Sequence, residues 1–138
     1  MKTHILFLCT HNSCRSQMAE GLANHYLGDS CQAFSAGTEA TKVNPLAVKV
    51  LAELGIDTSP LYSKTMDEFA GQTFDHVVTL CGDANEKCPL FFGGVKRLHR
   101  GFDDPSRLTG SIEEVLPEFR RVRDEIKFWI FDCFGGPQ

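Results

Sequence analysis

The sequence lacks the features that most readily place a chain in a membrane or on a nucleic acid. No segment approaches the ~20 consecutive apolar residues of a membrane-spanning helix. The net charge of -4 also differs from the basic excess that nucleic-acid binding usually shows. The apolar run at residues 5–8 is shorter than the ~7–15 residues of a secretory signal. We therefore expect a cytoplasmic protein that binds neither membranes nor nucleic acids.

The chain also has little room for more than one domain. Its 138 residues suffice to bury roughly two-thirds of the unfolded surface. A content of 42% hydrophobic and 23% charged residues is typical of soluble globular proteins. We find no internal repeat, low-complexity tract or linker, and we predict a single domain over residues 1–138 and, by default, a monomer.

Apolar patterns typical of strands and helices alternate along the chain. Strands are predicted at residues 4–9, 32–36, 74–81 and 95–98. Helices are predicted at residues 16–27, 45–54, from about 65, and 117–133. The third helix should begin with a capping box of Thr65 and Glu68, and the arginines of the last should face water. This order predicts an α/β fold with a four-stranded parallel sheet and helices on both faces, whose ligands bind at the carboxyl ends of the strands.

Cysteine is the most informative residue type, because structural disulfides are rare in a reducing cytoplasm. Clusters of cysteine there are more often catalytic, redox-active or metal-binding. Cys31 and Cys133 look structural, since one lies beside a strand and the other ends an apolar helical stripe. Cys14 is interpreted as a small packing residue. The six cysteines are Cys9, Cys14, Cys31, Cys81, Cys88 and Cys133.

The loop after the first strand has the pattern Cys9, five residues, Arg15, then Ser16, and a helix follows at once. Backbone N–H groups and the helix dipole make such a loop attractive to anions, and Arg15 offers two further donors to a tetrahedral oxyanion. The same donors would stabilise a Cys9 thiolate. Alternatively, Cys9 merely ends a buried strand and Arg15 is a solvated charge. The predicted oxyanion-binding residues are Thr10, His11, Asn12, Ser13, Cys14, Arg15 and Ser16.

Two more cysteines follow the third predicted strand. The strand end places Cys81 on the same rim of the sheet as Cys9, and Cys88 follows after six intervening residues, in a segment rich in loop formers. Three cysteines that meet in turn are what a thiol–disulfide relay needs. Zinc ligands, a structural disulfide or inert buried thiols stay open as alternatives, although the spacing does not match a zinc site.

Asp104 stands directly before Pro105, which stiffens the loop that carries its carboxylate. A carboxyl group held in this way is suited to act as a general acid. Ordinary turn chemistry explains an Asp-Pro pair equally well when it is considered alone.

These patterns resemble a known family. The Cys9-x5-Arg15-Ser16 loop is similar to the phosphate-binding loop of the low-molecular-weight protein tyrosine phosphatase fold. The string NSCRSQMAEG, residues 12–21, is similar to the thioredoxin-coupled arsenate reductases built on that fold. The resemblance runs from about residue 4 to residue 126.

The resemblance implies an enzyme that reduces arsenate to arsenite. Cys9 would attack arsenic within the oxyanion loop and Asp104 would protonate the departing oxygen. Cys81 and then Cys88 would take over the oxidation as disulfides, and reduced thioredoxin would restore the thiols. Phosphate or sulfate would compete for the loop, and no bound cofactor or metal is implied.

Some positions depart from the family pattern. Tyrosine phosphatases of this fold usually carry an aromatic wall after Asp-Pro, whereas this chain has Ser106-Arg107-Leu108, which favours a small inorganic substrate. His11 replaces the glycine of many members and either tunes the charge of the loop or points to solvent. A phosphomonoesterase that uses Cys9, Arg15 and Asp104 stays open as an alternative, as does a non-enzymatic thiol sensor.

A further departure concerns potassium. Some reductases of this type bind the ion through residues that match Asn12, Glu20, Ser35 and an aspartate, and the last position here is Lys64. A lysine ammonium would replace the cation electrostatically, so we expect no metal requirement.

Overall fold

The computed structural model describes residues 2–81 and 96–135, which form an α/β fold around one sheet. The elements are β1 (Thr3–Cys9), α1 (Arg15–Leu27), β2 (Cys31–Gly37), α2 (Pro45–Ala52), a 3-10 helix (Met66–Phe69), β3 (His76–Thr79), β4 (Lys96–His99), a second 3-10 helix (Pro105–Arg107) and α3 (Ile112–Phe134). All four strands are parallel, in the order β2-β1-β3-β4, which confirms the predicted sheet. Within the described ranges, no helix is both long and apolar enough to cross a membrane.

Strand β1 lies in the middle of the sheet, between β2 and β3. Cys9 pairs in register with Gly37 of β2, and Leu8 pairs with Thr79 of β3. Because these strands are parallel, their carboxyl ends reach the same rim of the sheet. Cys81 comes two residues after the end of β3 and therefore lies on the rim that carries Cys9.

The side chains of β1 alternate between two hydrophobic cores, because successive residues of a strand point to opposite faces. Ile5 and Phe7 point into the larger core, to which all three α-helices contribute. Leu6 and Leu8 point into a smaller core on the other face, where the described helix is the 3-10 helix at residues 66–69. Three rings fill this smaller core with edge-to-face contacts: Phe34, Phe69 and Phe74.

Helix α3 begins five residues before the predicted start at Pro117. Its N-cap is Ser111, whose hydroxyl accepts a hydrogen bond from Glu114 N and donates one to Glu114 Oε1. The bond from Glu114 N is the serine half of a capping box, while the Glu114 carboxylate binds the Ser111 hydroxyl rather than its backbone N–H. The predicted start was wrong, because Pro117 lies inside the helix.

Two predictions for side chains of α3 were also wrong. Arg123 is 7% exposed and does not face water. Its Nη1 donates to Val50 O at 2.9 Å and to Glu53 Oε1 at 3.0 Å, so it ties α3 to the end of α2. Cys133 is exposed rather than part of the core, while Cys31 is buried as predicted.

The helix predicted near Thr65 is a 3-10 helix of four residues. Within the described chain, the Thr65 side chain makes no capping hydrogen bond. Glu68 instead accepts a hydrogen bond from the Tyr62 hydroxyl at 2.8 Å. The predicted capping box is therefore wrong, because a tertiary partner binds the glutamate.

Candidate active site

The loop between β1 and α1 turns its carbonyl groups away from its centre. Each of four successive carbonyls accepts a hydrogen bond from a donor outside the loop. Since the N–H and C=O groups of a peptide point in opposite directions, this arrangement turns the amide groups inward, as in an anion-binding nest. The four bonds run from Glu39 N to Thr10 O (2.9 Å), Ser63 Oγ to His11 O (3.1 Å), Gln17 Nε2 to Asn12 O (2.9 Å) and Asn44 N to Ser13 O (2.9 Å).

Asn12 holds the middle of this loop in a left-handed conformation, with φ of 49°. Its side chain is fully buried and is bonded on both ends. Nδ2 donates to Ser16 Oγ at 2.7 Å and to Ser35 Oγ at 3.0 Å, and Oδ1 accepts from Lys64 N at 2.9 Å. A positive φ is unfavourable for most residues, and these bonds compensate for it. Asn12 therefore braces the loop.

Cys9 ends β1 at the base of a small pocket formed by the loop. It is 2% exposed, and its Sγ lies 2.8 Å from Ser16 Oγ. Ser16 Oγ also accepts a hydrogen bond from Asn12 Nδ2, so this hydroxyl connects the Cys9 sulfur to the side chain that braces the loop. The pocket is lined by Cys9, His11, Ser13, Cys14, Arg15, Asp104 and Ser106.

Arg15 and Asp104 meet in the same pocket, although they are remote in sequence. Arg15 Nη2 lies 3.4 Å from Asp104 Oδ2, and Nη1 donates to Phe102 O at 3.2 Å. Both side chains are largely buried, with exposures of 12% and 15%. The structure thus brings a guanidinium, a carboxyl group and the Cys9 sulfur around one small cavity.

Cys14 also lines the pocket, but its chemistry differs from that of Cys9. Burial raises the pKa of the Cys14 thiol, and the nearby negative charges of Asp104 and Cys9 raise it further. Cys14 is therefore a protonated thiol at neutral pH, which fits a packing role.

His11 lies at the outer edge of the loop. Its Nε2 is 3.4 Å from Glu39 Oε2, and the two side chains are 51% and 65% exposed. The imidazole thus makes a solvent-exposed contact with the Glu39 carboxylate of a neighbouring loop. Exposed ion pairs of this kind contribute little to stability.

Cys81 lies close to the loop, and its contact runs through Thr10. Thr10 Oγ1 is 3.2 Å from Cys81 Sγ. Cys81 is partly exposed, in contrast to Cys9. Cys88, the third predicted redox cysteine, lies outside the described residues.

Lys64 completes a chain of buried polar groups behind the loop. Its Nζ lies 3.6 Å from Glu20 Oε1 and donates to Tyr62 O at 3.0 Å. Glu20 Oε1 also accepts from Ser35 Oγ at 2.7 Å, and Ser35 leads on to Asn12. Burial raises the pKa of Glu20, and the charge of Lys64 opposes that rise. No group of three or more metal-ligating side chains is found among the described residues.

Gly37 supports the loop from behind, which the sequence analysis missed. A Cβ at this position would lie 2.7 Å from Thr10 O and 2.8 Å from Asn12 N. Because real Cβ contacts are never this short, only glycine fits here without displacing the loop. The available signal was a glycine at the end of a strand that pairs with the strand of Cys9.

Three further neighbours of the site were also missed: Gln17, Phe102 and Ser106. Gln17 is buried and donates to Asn12 and to Tyr62 O. Phe102 contributes only its backbone carbonyl, for which a sequence carries no signal. Ser106 was noted only as a residue that replaces an aromatic wall.

This chain is similar to known proteins over almost its whole length. A family model described as low molecular weight phosphotyrosine protein phosphatase matches residues 4–130. An arsenate reductase of Bacillus subtilis (strain 168) is 57% identical over 122 residues, 88% of each chain. A solved arsenate reductase in the phosphate binding state has a TM-score of 0.80 at 32% identity, over 96% of this chain and 95% of that one. A thioredoxin-dependent arsenate reductase of Corynebacterium glutamicum has a TM-score of 0.62 at 29% identity. The match covers 94% of this chain and 62% of that one.

Proposed function

This chain belongs to the low molecular weight phosphotyrosine protein phosphatase family. Within this family, we propose that it acts as an arsenate reductase. The observation that carries this proposal is the second cysteine at the oxyanion pocket: Cys81 Sγ lies 3.2 Å from Thr10 of the loop. Hydrolysis of a phosphate ester has no use for this thiol, whereas reduction of an oxyanion needs one. The relatives named arsenate reductase support the same activity.

The first step is attack on arsenic inside the loop. The inward amide groups and Arg15 bind arsenate, and the Cys9 thiolate displaces one of its oxygens. A sulfur–arsenic bond forms, an arsenic–oxygen bond breaks, and Asp104 gives a proton so that the oxygen leaves as water. The position of Asp104 across the pocket from Cys9 supports this role.

The second step moves two electrons to arsenic. The Cys81 thiolate attacks the Cys9 sulfur, so that a sulfur–sulfur bond forms and the sulfur–arsenic bond breaks. The electron pair of the broken bond stays on arsenic, which leaves as arsenite. The two cysteines are together oxidised to a disulfide, which balances the reduction.

The third step resets the enzyme. The Cys88 thiolate attacks Cys81 and releases the Cys9 thiolate, and a Cys81–Cys88 disulfide remains. Reduced thioredoxin then takes up the oxidation by thiol exchange. The thioredoxin-dependent relative supports this choice of reductant. We propose that the chain works in the cytoplasm, because a thiol relay requires a reducing compartment. A monomer is the default proposal for its oligomeric state.

Phosphate and sulfate should occupy the same loop, because both are tetrahedral oxyanions that fit amide donors and a guanidinium. Neither readily accepts two electrons from a cysteine pair. They should therefore compete with arsenate without being reduced, and redox chemistry rather than shape should select the substrate.

The test is arsenite production with thioredoxin, thioredoxin reductase and NADPH. The wild-type chain should turn over repeatedly. Cys88→Ser should release at most about one arsenite per enzyme, because each turnover consumes the Cys9 thiolate. Mass mapping should then find a Cys9–Cys81 disulfide. Cys133→Ser is the matched control, since Cys133 is an exposed cysteine with no place in the relay.

Three outcomes would contradict the proposal. Absence of arsenite from the wild-type chain would rule out the activity. Steady turnover by Cys88→Ser would remove Cys88 from the relay. Loss of turnover in Cys133→Ser would show that cysteine removal acts through stability.

A second candidate function is phosphomonoester hydrolysis. It is favoured by the meeting of Cys9, Arg15 and Asp104 in one pocket, which suffices for that reaction. Robust hydrolysis of an aryl phosphate that is indifferent to Cys81→Ser, together with no arsenite formation, would establish it. Weak hydrolysis alone would not, because the same loop can serve both reactions.

A further inference from the structure

Ser106 follows the Asp-Pro pair and touches the Asp104 carboxyl group twice. Its backbone N–H donates to Asp104 Oδ1 at 3.1 Å, and its hydroxyl donates to the same oxygen at 2.5 Å. The backbone bond is the ordinary cap of the short helix at residues 105–107. The hydroxyl bond is an addition that an alanine at this position would lack.

The other oxygen of Asp104 has different neighbours. Oδ2 lies 3.4 Å from Arg15 Nη2, within the pocket that Cys9 and Arg15 line. Arg107 Nε is 3.8 Å from Oδ2, but its side chain is 87% exposed and the pair is therefore weak. The two oxygens are thus distinguished by their surroundings, with Oδ1 bound to Ser106 and Oδ2 on the side of Arg15.

A protonated carboxyl group has one oxygen that only accepts hydrogen bonds and one that donates. Two donors already fill the acceptor positions of Asp104 Oδ1. A proton on Oδ1 would face both of these donors, whereas Oδ2 accepts one longer hydrogen bond, from Arg15 Nη2 at 3.4 Å, and keeps its other position for a proton on the side of the pocket. This difference in hydrogen bonding favours the proton on Oδ2 over the proton on Oδ1.

We propose that Ser106 is a positioning residue, which holds Asp104 so that Oδ2 carries the proton given to the departing oxygen. This role rests on the proposed arsenate reduction. Ser106 itself contacts neither arsenic nor the reacting sulfur in this scheme. It acts by preventing rotation of the carboxyl group, which would turn the proton away from the leaving oxygen.

The test compares two variants with the wild-type chain in single-turnover arsenite formation at saturating arsenate, with rapid quenching. Ser106→Ala keeps the backbone bond and removes the hydroxyl, and its rate should be about three- to tenfold lower, the effect of one ordinary hydrogen bond. Ser106→Thr keeps a hydroxyl and should restore most of the rate. Phosphate affinity is measured in both variants and should change less than the rate, because Arg15 and the backbone amide groups of the loop are untouched.

A double-variant cycle separates positioning from a general structural effect. Asp104→Asn should slow the step about 10²–10⁴-fold, as expected for loss of a general acid. Adding Ser106→Ala to Asp104→Asn should cause no further loss, because Ser106 acts through the carboxyl group. Ser111→Ala is the matched control, since it removes a capping hydroxyl from α3 at a distance from the pocket.

Each outcome decides the role of Ser106. An unchanged rate in Ser106→Ala, an equal loss in Ser106→Thr, or an additive loss in the Asp104→Asn background would overturn it. A wild-type chain that forms no arsenite but still binds phosphate would overturn the proposed function, and this role with it.

Discussion

Thr10 Oγ1 lies 3.2 Å from Cys81 Sγ, although the two residues are 71 positions apart in sequence. They meet because β1 and β3 are adjacent and parallel. Thr10 directly follows the last residue of β1, and Cys81 comes two residues after the end of β3. Thr10 belongs to the oxyanion loop, and Cys81 is the proposed second nucleophile. One hydroxyl therefore connects the proposed substrate-binding loop to the proposed second nucleophile.

Thr10→Val should selectively slow the proposed attack of Cys81 on the Cys9 sulfur. Valine keeps the shape of threonine but cannot form the hydrogen bond with the Cys81 sulfur, and one lost hydrogen bond corresponds to roughly 1 kcal/mol, or about fivefold in rate. The measurement is formation of the Cys9–Cys81 disulfide after mixing with arsenate. Thr10→Ser keeps the hydroxyl and is the control. Equal rates in Thr10→Val and the wild-type chain would show that the contact has no role in the step.

Gly37→Ala should damage anion binding and stability together. Its new Cβ would meet Thr10 O and Asn12 N at less than 3 Å, so the loop must move. Overpacking of this kind costs about 1–3 kcal/mol, to be measured by urea unfolding, and phosphate titration should show weaker binding. Gly101→Ala is the control, because the nearest atom to a Cβ there is 3.9 Å away. Wild-type phosphate affinity in Gly37→Ala would contradict the supporting role of Gly37.

Lys64→Met should destabilise the chain increasingly as the pH rises. Burial already raises the pKa of Glu20, and Lys64 is the charge that opposes this rise. Without Lys64, the folded state favours protonated Glu20, so stability persists at acidic pH and is lost as the pH rises through the Glu20 pKa. Breaking a buried ion pair costs about 3–5 kcal/mol at neutral pH. Thermal unfolding between pH 5 and 8 measures the effect.

The double variant Glu20→Gln with Lys64→Met is the control, because it leaves no buried charge and should recover much of the loss at neutral pH. A pH-independent loss in Lys64→Met would mean that the lysine acts through packing alone. The Lys64 ammonium group already lies beside the buried Glu20 carboxylate and supplies the positive charge that a potassium ion would supply. Wild-type activity should therefore be equal in potassium chloride and sodium chloride.

His76 should make the fold less stable in acid. Burial lowers the pKa of His76, Lys96 lowers it further, and Asp75 opposes both. Its Nδ1 is buried without a hydrogen-bond partner among the described residues, and its ring packs on Phe134. A histidine with a lowered pKa binds its proton more tightly in the unfolded chain. Stability is therefore lost as the pH falls below the ordinary histidine value of about 6.5.

His76→Phe keeps the ring and removes the titration, so its melting temperature should fall less than that of the wild-type chain between pH 7.5 and 5.5. His25→Phe is the control, since His25 is an exposed ring packed on Tyr26. An equal fall in His76→Phe and the wild-type chain would assign the acid sensitivity to other groups.

The sequence predicts the elements that depend on local pattern. The alternation of apolar runs predicts the parallel sheet, and the spacing of Cys9 and Arg15 predicts an anion-binding loop at the point where the structure has a loop whose carbonyl groups are bound by donors outside it. Strand β1 is especially clear, because it is buried on both faces and so lacks polar residues in its second half. Such local signals survive folding because tertiary contacts reinforce them.

The features that the sequence did not reveal depend on partners far along the chain. Arg123 is buried because its side chain binds Glu53 and the carbonyl group of Val50. These partners lie 70 and 73 residues away in sequence. Gly37 matters because of a backbone that packs against it, and no local pattern encodes that contact. The start of α3 is a different case, since Ser111 and Glu114 have the Ser-x-x-Glu spacing of a capping box, a local signal that the sequence analysis did not use.

The anion cage formed by residues 10–15 exists only in the folded chain, because several donors to its carbonyls come from residues 38–44 and 62–64. A tetrahedral anion that fills the cage therefore binds the native state and not the unfolded chain. By mass action, an anion at 100 times its Kd adds about 2.7 kcal/mol to the free energy of unfolding. Phosphate, which we propose as a competitor of arsenate at this pocket, should therefore also stabilise the native fold and protect the protein from heat and proteolysis when arsenate is absent.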